Sequence, residues 1–239
     1  MITMHPSFEM LRPGKKFPSS SRMPVYVDFN SLHTAHGRAI AFATGVKLHN
    51  PRLHVIVITG DGDALAIGGN HFIHAARRNV ELTVILLNNN IYGMTGGQYS
   101  PTTPIGKRAS TAPYGTAERD FDPCALAQAA GASFAARGTV FGVVELEKMI
   151  GQALAKKGFA LVEALSPCPT LYGRLNREGN AVKMIQWQKE NTINAKAAAK
   201  LPPEKTAGKI VTGVFHDAEV TPYTEVYQGI IDKAQGQKQ

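Results

Sequence analysis

Only two cysteines, Cys124 and Cys168, occur in 239 residues. Two thiols cannot build a disulfide framework in a chain this long, and their scarcity fits a reducing, cytoplasmic setting. No run of about 18 apolar residues is present, which excludes a transmembrane helix. The N-terminus lacks the apolar stretch and small-residue cleavage site of a secretory signal. Acidic residues are few: 18 Asp and Glu stand against 26 Lys and Arg, a formal charge of +8. Much of the excess lies in Lys15, Lys16, Arg22 and the late lysines Lys183, Lys189, Lys196, Lys200, Lys205 and Lys209. That balance suits a solvated surface, or a face turned toward an acidic partner or anionic cofactor. No recognition motif for nucleic acid accompanies it, so neither nucleic acid nor membrane is expected as a partner. There is no internal repeat.

Residues 1–32 carry Pro6, Pro13, Pro18, Pro24 and a Ser19-Ser20-Ser21 run, and read as an irregular N-terminal segment. Residues 33–49 have the composition of a helix, ended by Pro51. Residues 53–59 (LHVIVIT) and 82–87 (LTVILL) are β-branched apolar runs, the pattern of strands buried on both faces. With a helix over 69–79 between them they form a βαβ crossover, which implies parallel pairing. A long Gly-, Pro-, Ser- and Thr-rich loop spans 90–121, and a loop of that length inside a domain is usually functional or disordered. Asp122 as N-cap with Pro123 in the first turn starts a helix that Gly131 ends. A short strand over 133–136, an amphipathic helix over 145–157, a strand over 159–165 (FALVEAL) and a polar helix over 181–200 follow. The last 40 residues show no core pattern. The alternation predicts a doubly wound, mostly parallel α/β domain over 33–175, with a C-terminal helical extension and tail over 176–239.

In such sheets ligands sit beyond the carboxyl ends of the strands. The run Gly60-Asp61-Gly62-Asp63 and the pair Asn88-Asn89 both fall there. Magnesium is a hard, near-octahedral cation that takes one or two protein oxygens together with phosphate oxygens and water. Asp61 can neutralise it, Asn89 can lend a neutral oxygen, and the glycines let backbone N–H groups approach phosphates. The competing reading is structural: a plain turn after one strand and a helix-capping Asn pair after the other. Cys124, at the start of a helix, reads as a small apolar packing residue.

The Gly-Asp-Gly run followed about 25 residues later by Asn-Asn resembles the signature of thiamine-diphosphate enzymes. Longer stretches are closer still. Residues 33–38 (HTAHGR), 60–79 (GDGDALAIGGNHFIHAARRN), 88–103 (NNNIYGMTGGQYSPTT) and 166–170 (SPCPT) resemble the β subunit of 2-oxoacid:ferredoxin oxidoreductases, with the 2-oxoglutarate type nearest. The likeness covers roughly residues 19–190. It implies that Asp61, Asn89 and the backbone carbonyl of Ile91 ligate Mg²⁺. It further implies that Ser19, Ser20, His36, Gly62, Asp63, Gly93 and Met94 contact thiamine diphosphate, with Met94 beneath the thiazolium and His36 as an acid–base candidate. His33, His71 and His74 are weaker candidates for such a role. The implied reaction is oxidative decarboxylation of a 2-oxoacid, with electrons passed to ferredoxin and the acyl group to coenzyme A. The cofactor carries the hard step and the protein positions it. The family draws its catalytic glutamate from another subunit, so a heterodimer is implied. Its α subunit would carry the pyrimidine-binding domain, and the 90–121 loop would help close the site at that interface. Arg22 and the tract Gly96-Gly97-Gln98 are candidates to face the substrate, since a distal carboxylate suits an arginine fork.

The chain departs from the family at its cysteines. A four-iron cluster in this family takes an early Cys-x-x-Cys pair, a cysteine just before Ser-Ser-Arg, and one in Ser-Pro-Cys-Pro. Cys168 matches the last as a vestigial ligand, Ser19 stands at the third position, and residues 1–18 hold no cysteine. One thiolate cannot hold a cluster that takes four, so none is expected on this chain. A truncated N-terminus or loss of the internal electron relay would each explain the pattern. Two other functions fit the same residues: half of a non-oxidative thiamine-dependent decarboxylase, and a non-catalytic scaffold subunit with a vestigial pocket.

Overall fold

The four apolar runs read as strands become four adjacent parallel strands. A computed structural model describes residues 2–4 and 20–236. In chain order the central strands are β3 (Ile56–Gly60), β4 (Leu82–Asn88), β5 (Phe134–Thr139) and β6 (Phe159–Leu165). Two short strands, β1 (Ile2–Met4) and β2 (Leu32–Thr34), precede them. Two more, β7 (Thr192–Asn194) and β8 (Ile210–Asp217), follow. The sheet runs β2-β1-β3-β4-β6-β5-β8-β7. The first six in that order are parallel, and β8 closes the β5 edge antiparallel.

Helices cover the two faces unequally. On one face lie α1 (Ala39–His49), α2 (Gly69–Arg77) and α3 (Pro123–Ala130), packed on Val57, Val84, Leu86 and Leu161. On the other lies α4 (Val143–Ala155), whose Leu146, Met149 and Ala153 meet Phe134, Ala160 and Val162. Alternate residues of β6 supply both faces, as the two-residue period of a strand requires. The first core is rich in alanine (Ala39, Ala43, Ala64, Ala75, Ala76, Ala127), which lets helices lie close to the sheet. Its large members include Phe72 and Phe159, fully buried edge to face at 5.5 Å. Burial of each contributes about 1.5–3 kcal/mol.

The helix α3 follows its sequence signals. Asp122 Oδ1 accepts from the N–H groups of Cys124 (2.9 Å) and Ala125 (3.0 Å), and Gly131 ends the helix at φ +102°. Other expectations need correction. The segment 1–32 contains strand β1 and a 3₁₀ turn over Ser20–Val25. Residues 33 and 34 belong to β2, so the helix expected over 33–49 begins at Ala39. The helix expected over 181–200 splits into α5 (Ala181–Asn191), β7 and α6 (Ala195–Ala198). Thr192 Oγ1 donates to Gln188 O at 2.6 Å and Asn194 caps α6, so local hydroxyl and amide bonds compete with the helix ladder. The tail is not separate from the sheet: β8 pairs with β5. Beyond it a short α7 (Pro203–Thr206) precedes β8, and α8 (Tyr223–Ala234) follows it.

At the amino ends of the strands one asparagine ties this tail down. Asn79 is buried at φ +52°, a left-handed conformation that asparagine tolerates better than most residues. Its Oδ1 accepts from Ser133 Oγ (2.9 Å) and Phe159 N–H (2.8 Å). Its Nδ2 donates to Val220 O (3.1 Å) and Thr221 O (3.3 Å), and its carbonyl accepts from Tyr223 N–H (3.1 Å). A Cβ on Gly158 would lie 2.3 Å from that amide, so glycine makes room for it. Among the described residues no helix is long and apolar enough to cross a membrane.

Candidate active site

Strand register decides which residues meet at the opposite, carboxyl edge. Gly60 of β3 pairs with Leu87 of β4 in parallel, so Asp61 and the Asn88-Asn89 pair leave the sheet side by side. A wide, π-type helical turn, Gly62–Ile67, then leads into α2 and brings its first N–H groups to the same edge. Gly62 is required there. A Cβ on it would lie 2.4 Å from the Tyr92 ring, whose hydroxyl donates to Gly62 O at 2.9 Å.

Asp61 is buried, and its side-chain hydrogen bonds converge on one oxygen. Ser100 donates to Oδ2 at 2.6 Å, and Thr102 Oγ1 lies 2.8 Å from the same atom. Among the described residues no cationic side chain pairs with it. Burial pushes its pKa up to about 6, against the opposing pull of the Ser100 and Thr102 hydroxyls and the Gly62 amide. A buried carboxylate without a counter-charge is costly, and a cation at this point would relieve the cost.

Asn89 and Ile91, just past the neighbouring strand β4, carry neutral oxygens. Asn89 Oδ1 accepts from Ile91 N–H at 3.2 Å, which engages one of its two lone-pair directions. The Asn90 carbonyl accepts from Thr103 Oγ1 (2.7 Å) and the Tyr92 carbonyl from Gly97 N–H (2.9 Å). Between them the Ile91 carbonyl receives no hydrogen bond among the described residues. The Ile91 side chain is buried with Cys168, Tyr172 and Ala109, which fixes the backbone at that point. Among the described residues no group of three or more His, Cys, Asp or Glu could hold a metal. The donor set is one carboxylate with an amide and a carbonyl oxygen, so phosphate oxygens and water must complete a six-coordinate ion. The residues present fit a magnesium diphosphate.

Asp63 faces inward and is committed to the fold. Its Oδ1 accepts from Gly37 N–H (2.5 Å) and lies 2.8 Å from His36 Nδ1, while Thr59 donates to Oδ2 at 2.6 Å. It clamps the turn at 36–37, where Gly37 has φ +70° and a Cβ would lie 2.4 Å from Ile67 Cγ2. His36 is thereby held at the site, half-buried and edge-on to Tyr92 with ring centroids 5.8 Å apart. Gly93 and Met94 lie in a turn closed by the Tyr92–Gln98 pairing, with Met94 half-buried. Gly96 and Gly97 complete that turn at φ +115° and +92°.

Other expected residues lie elsewhere or are less defined. Ser19 falls outside the described residues, and Ser20 opens the 3₁₀ turn that also holds Arg22. Arg22 lies over the Tyr26 ring at 5.9 Å. His71 and His74 sit on α2, where His74 Nδ1 accepts from Arg77. Cys168 is buried in the small cluster with Ile91, its sulfur 3.8 Å from Thr170 Oγ1. Cys124 is buried against Glu163, and burial with that carboxylate raises its thiol pKa.

Sequence reasoning gave no role to the hydroxyls of Ser100, Thr102 and Thr103, the Tyr92 ring or Glu163, and named Asn88 only as part of the Asn-Asn pair. The Ser-Pro-Thr-Thr run at 100–103 is a visible signal for the hydroxyls alone. The 90–121 segment is an ordered loop, closed by Gly106 N–H to Thr116 O (2.8 Å), Ser110 N–H to Gly97 O (2.7 Å) and Phe121 N–H to Pro101 O (2.8 Å). Between it and the site lies an open cleft of about 480 Å³, lined by Ala66, Tyr92, Tyr99, Pro101, Glu118, Arg119 and Phe121.

Comparison with known proteins agrees with this geometry. Residues 13–164 match the family "thiamine pyrophosphate enzyme, C-terminal TPP binding domain". The 2-oxoglutarate synthase subunit KorB of Methanocaldococcus jannaschii is 53% identical over 214 residues, 90% of this chain and 79% of the relative. A 2-oxoacid:ferredoxin oxidoreductase β subunit from a Sulfolobus species is 40% identical, over 88% of this chain and 71% of its own. Among solved structures, 2-oxoglutarate:ferredoxin oxidoreductase from Magnetococcus marinus superposes with a TM-score of 0.79 at 30% identity, covering 99% of this chain and 77% of that one. That structure holds 2-oxoglutarate, coenzyme A and succinyl-CoA. A parallel sheet with a carboxylate–amide edge, a thiamine-pyrophosphate domain over most of its length and relatives this similar place the chain in the β-subunit family of the 2-oxoacid:ferredoxin oxidoreductases, of the 2-oxoglutarate type.

Proposed function

We propose that this chain binds magnesium thiamine diphosphate and, with a partner α subunit, carries out the coenzyme A-dependent oxidative decarboxylation of 2-oxoglutarate with ferredoxin as electron acceptor. The observation that carries the reading is Asp61, a buried carboxylate with two hydroxyl donors and no cationic side chain beside it among the described residues. A divalent ion supplies the missing charge. Asp61, Asn89 Oδ1 and the Ile91 carbonyl are its protein ligands. Gly62, Gly93, Met94, His36 and the Ser19-Ser20 segment contact the cofactor, and Asp63 does so through its backbone alone, since its carboxylate is spent within the fold. When bound, thiamine diphosphate supplies an electron sink for the departing carboxylate.

The chain's own residues do the positioning. Asp63 fixes the His36 ring through Nδ1, which leaves its other nitrogen as the candidate proton carrier. Tyr92 covers the Gly62 carbonyl and limits water there. The cleft beside it is large enough for a small acid and open enough to need a second surface to seal it. The loop carries Ile105 and Tyr114 at 62% and 97% exposure, apolar groups suited to a partner's face.

The test is calorimetry on the chain co-purified with its α subunit. Thiamine diphosphate binds only when Mg²⁺ is present, and Asp61→Ala abolishes binding. Binding that survives Asp61→Ala refutes the metal site. Carbon dioxide release from 2-oxoglutarate that needs a viologen acceptor supports the oxidative reaction. Release without an acceptor supports the non-oxidative one.

A further inference from the structure

The central strand β6 carries one charged side chain, Glu163, and it is 1% exposed. The metal and cofactor ligands proposed above leave it without a role. Burying a carboxylate is expensive unless every lone pair is answered. Both oxygens of Glu163 are answered. Oε2 accepts from Arg137 Nε at 2.5 Å, with the Cys124 sulfur 3.7 Å away. Oε1 accepts from Asn88 Nδ2 at 2.7 Å. Arg137 in turn reaches Asp122 Oδ1 at 2.7 Å. An apolar residue would fill the same place in a strand whose other members are Phe, Ala, Leu and Val.

The contact with Asn88 has a directional consequence. An ionised carboxylate only accepts, so it forces the amide nitrogen of Asn88 toward itself and the amide oxygen away. That oxygen receives Asn90 N–H at 3.0 Å and lies 2.9 Å from Thr102 Oγ1. Thr102 Oγ1 lies 2.8 Å from Asp61 Oδ2. One continuous line of polar contacts therefore runs Arg137–Glu163–Asn88–Thr102–Asp61, with every side chain from Glu163 to Asp61 buried.

We propose that Glu163 is a positioning residue for the magnesium site, acting through the orientation of Asn88 and Thr102 on the Asp61 carboxylate. The proposal rests on the reading of Asp61 as a magnesium ligand. Glu163 sets which end of the Asn88 amide faces the loop. That amide oxygen holds the turn at Asn90 and shares the single Thr102 hydroxyl proton with Asp61 Oδ2, which Ser100 also holds. Groups that orient a ligand in this way commonly change metal affinity about 10–100-fold when lost.

The test uses the complex with the α subunit and measures the Mg²⁺ concentration for half-saturation at saturating thiamine diphosphate. The unfolding temperature of the cofactor-free complex is followed in parallel. Glu163→Gln keeps the volume; with its oxygen left to Arg137, its amide nitrogen meets the Asn88 donor and turns that amide round. It raises the Mg²⁺ requirement about tenfold or more. Thr102→Val breaks the line without touching the Arg137 pair and does the same, whereas Thr102→Ser keeps the hydroxyl and stays near wild type. The double variant Glu163→Gln/Thr102→Val is no worse than the poorer single, since both cut one line. Additive losses overturn the proposal, and so does a lower unfolding temperature with an unchanged Mg²⁺ requirement. If Glu163→Gln does not assemble, Thr102→Val with a wild-type requirement overturns it alone. Asp61→Ala separates the two levels. Binding abolished there but unchanged in the other variants rejects the line and keeps the magnesium site. Binding retained in Asp61→Ala rejects both.

Discussion

The two ends of the sheet use the same kinds of residue to opposite purpose. At the amino ends, Asn79 spends every polar group of its side chain on protein partners and ties β5, β6 and the C-terminal segment together. At the carboxyl ends, Asp61 takes hydroxyls on one oxygen only, Asn89 engages one lone pair, and the Ile91 carbonyl receives nothing among the described residues. A polar side chain fully matched by its own fold is a joint. One that the fold conceals but leaves partly unmatched is waiting for a ligand. Burial alone does not separate the cases, since Asn79 and Asp61 are both almost inaccessible.

Breaking the joint should have the largest effect on stability. Asn79→Ala removes at least four hydrogen bonds and places a less tolerant residue at positive φ, so the chain should lose about 3–4 kcal/mol. Urea unfolding of the cofactor-free protein checks this. Relieving the other end should act in the reverse sense. The raised pKa of Asp61 means that its contribution to stability is fully present below pH 3.8 and is lost as pH rises through about 6. Asp61→Asn removes that loss. Above pH 6.5 it should therefore make the cofactor-free protein more stable, by on the order of 2–3 kcal/mol, with the gap closing toward pH 4. The same substitution should remove stabilisation by Mg²⁺ and thiamine diphosphate. The smallest effect should come from Tyr92→Phe. It deletes one hydrogen bond to Gly62 O and keeps the ring, at a cost of about 1 kcal/mol. A loss several times greater would mean that Tyr92 belongs to the joints.

The sequence made the carboxyl edge legible because its signals are local. Asp61 and Asn89 each stand two residues past an apolar strand run, and Asp122, Pro123 and Gly131 mark their helix by position alone. The supporting residues have no such signal. Ser100 and Thr102 meet Asp61 across 39 and 41 residues, and Glu163 meets Asn88 across 75. No period or spacing encodes those contacts: the pairing of β4 with β6 brings Asn88 to Glu163, and the fold of the 90–121 loop brings Ser100 and Thr102 to Asp61. β8 was hidden for a related reason. It is only half-buried, and its pairing with β5 slips between Ala135 and Ala136, so no clean alternation marks it.

That late strand has a consequence for how the protein is made. While the ribosome is still translating residues 210–217, the flank of β5 is a bare row of amides and carbonyls, open to any extended segment nearby. The nascent chain therefore passes through a sticky stage until residues 210–217 have emerged, so slowing synthesis or deleting that stretch should favour inclusion bodies over soluble product.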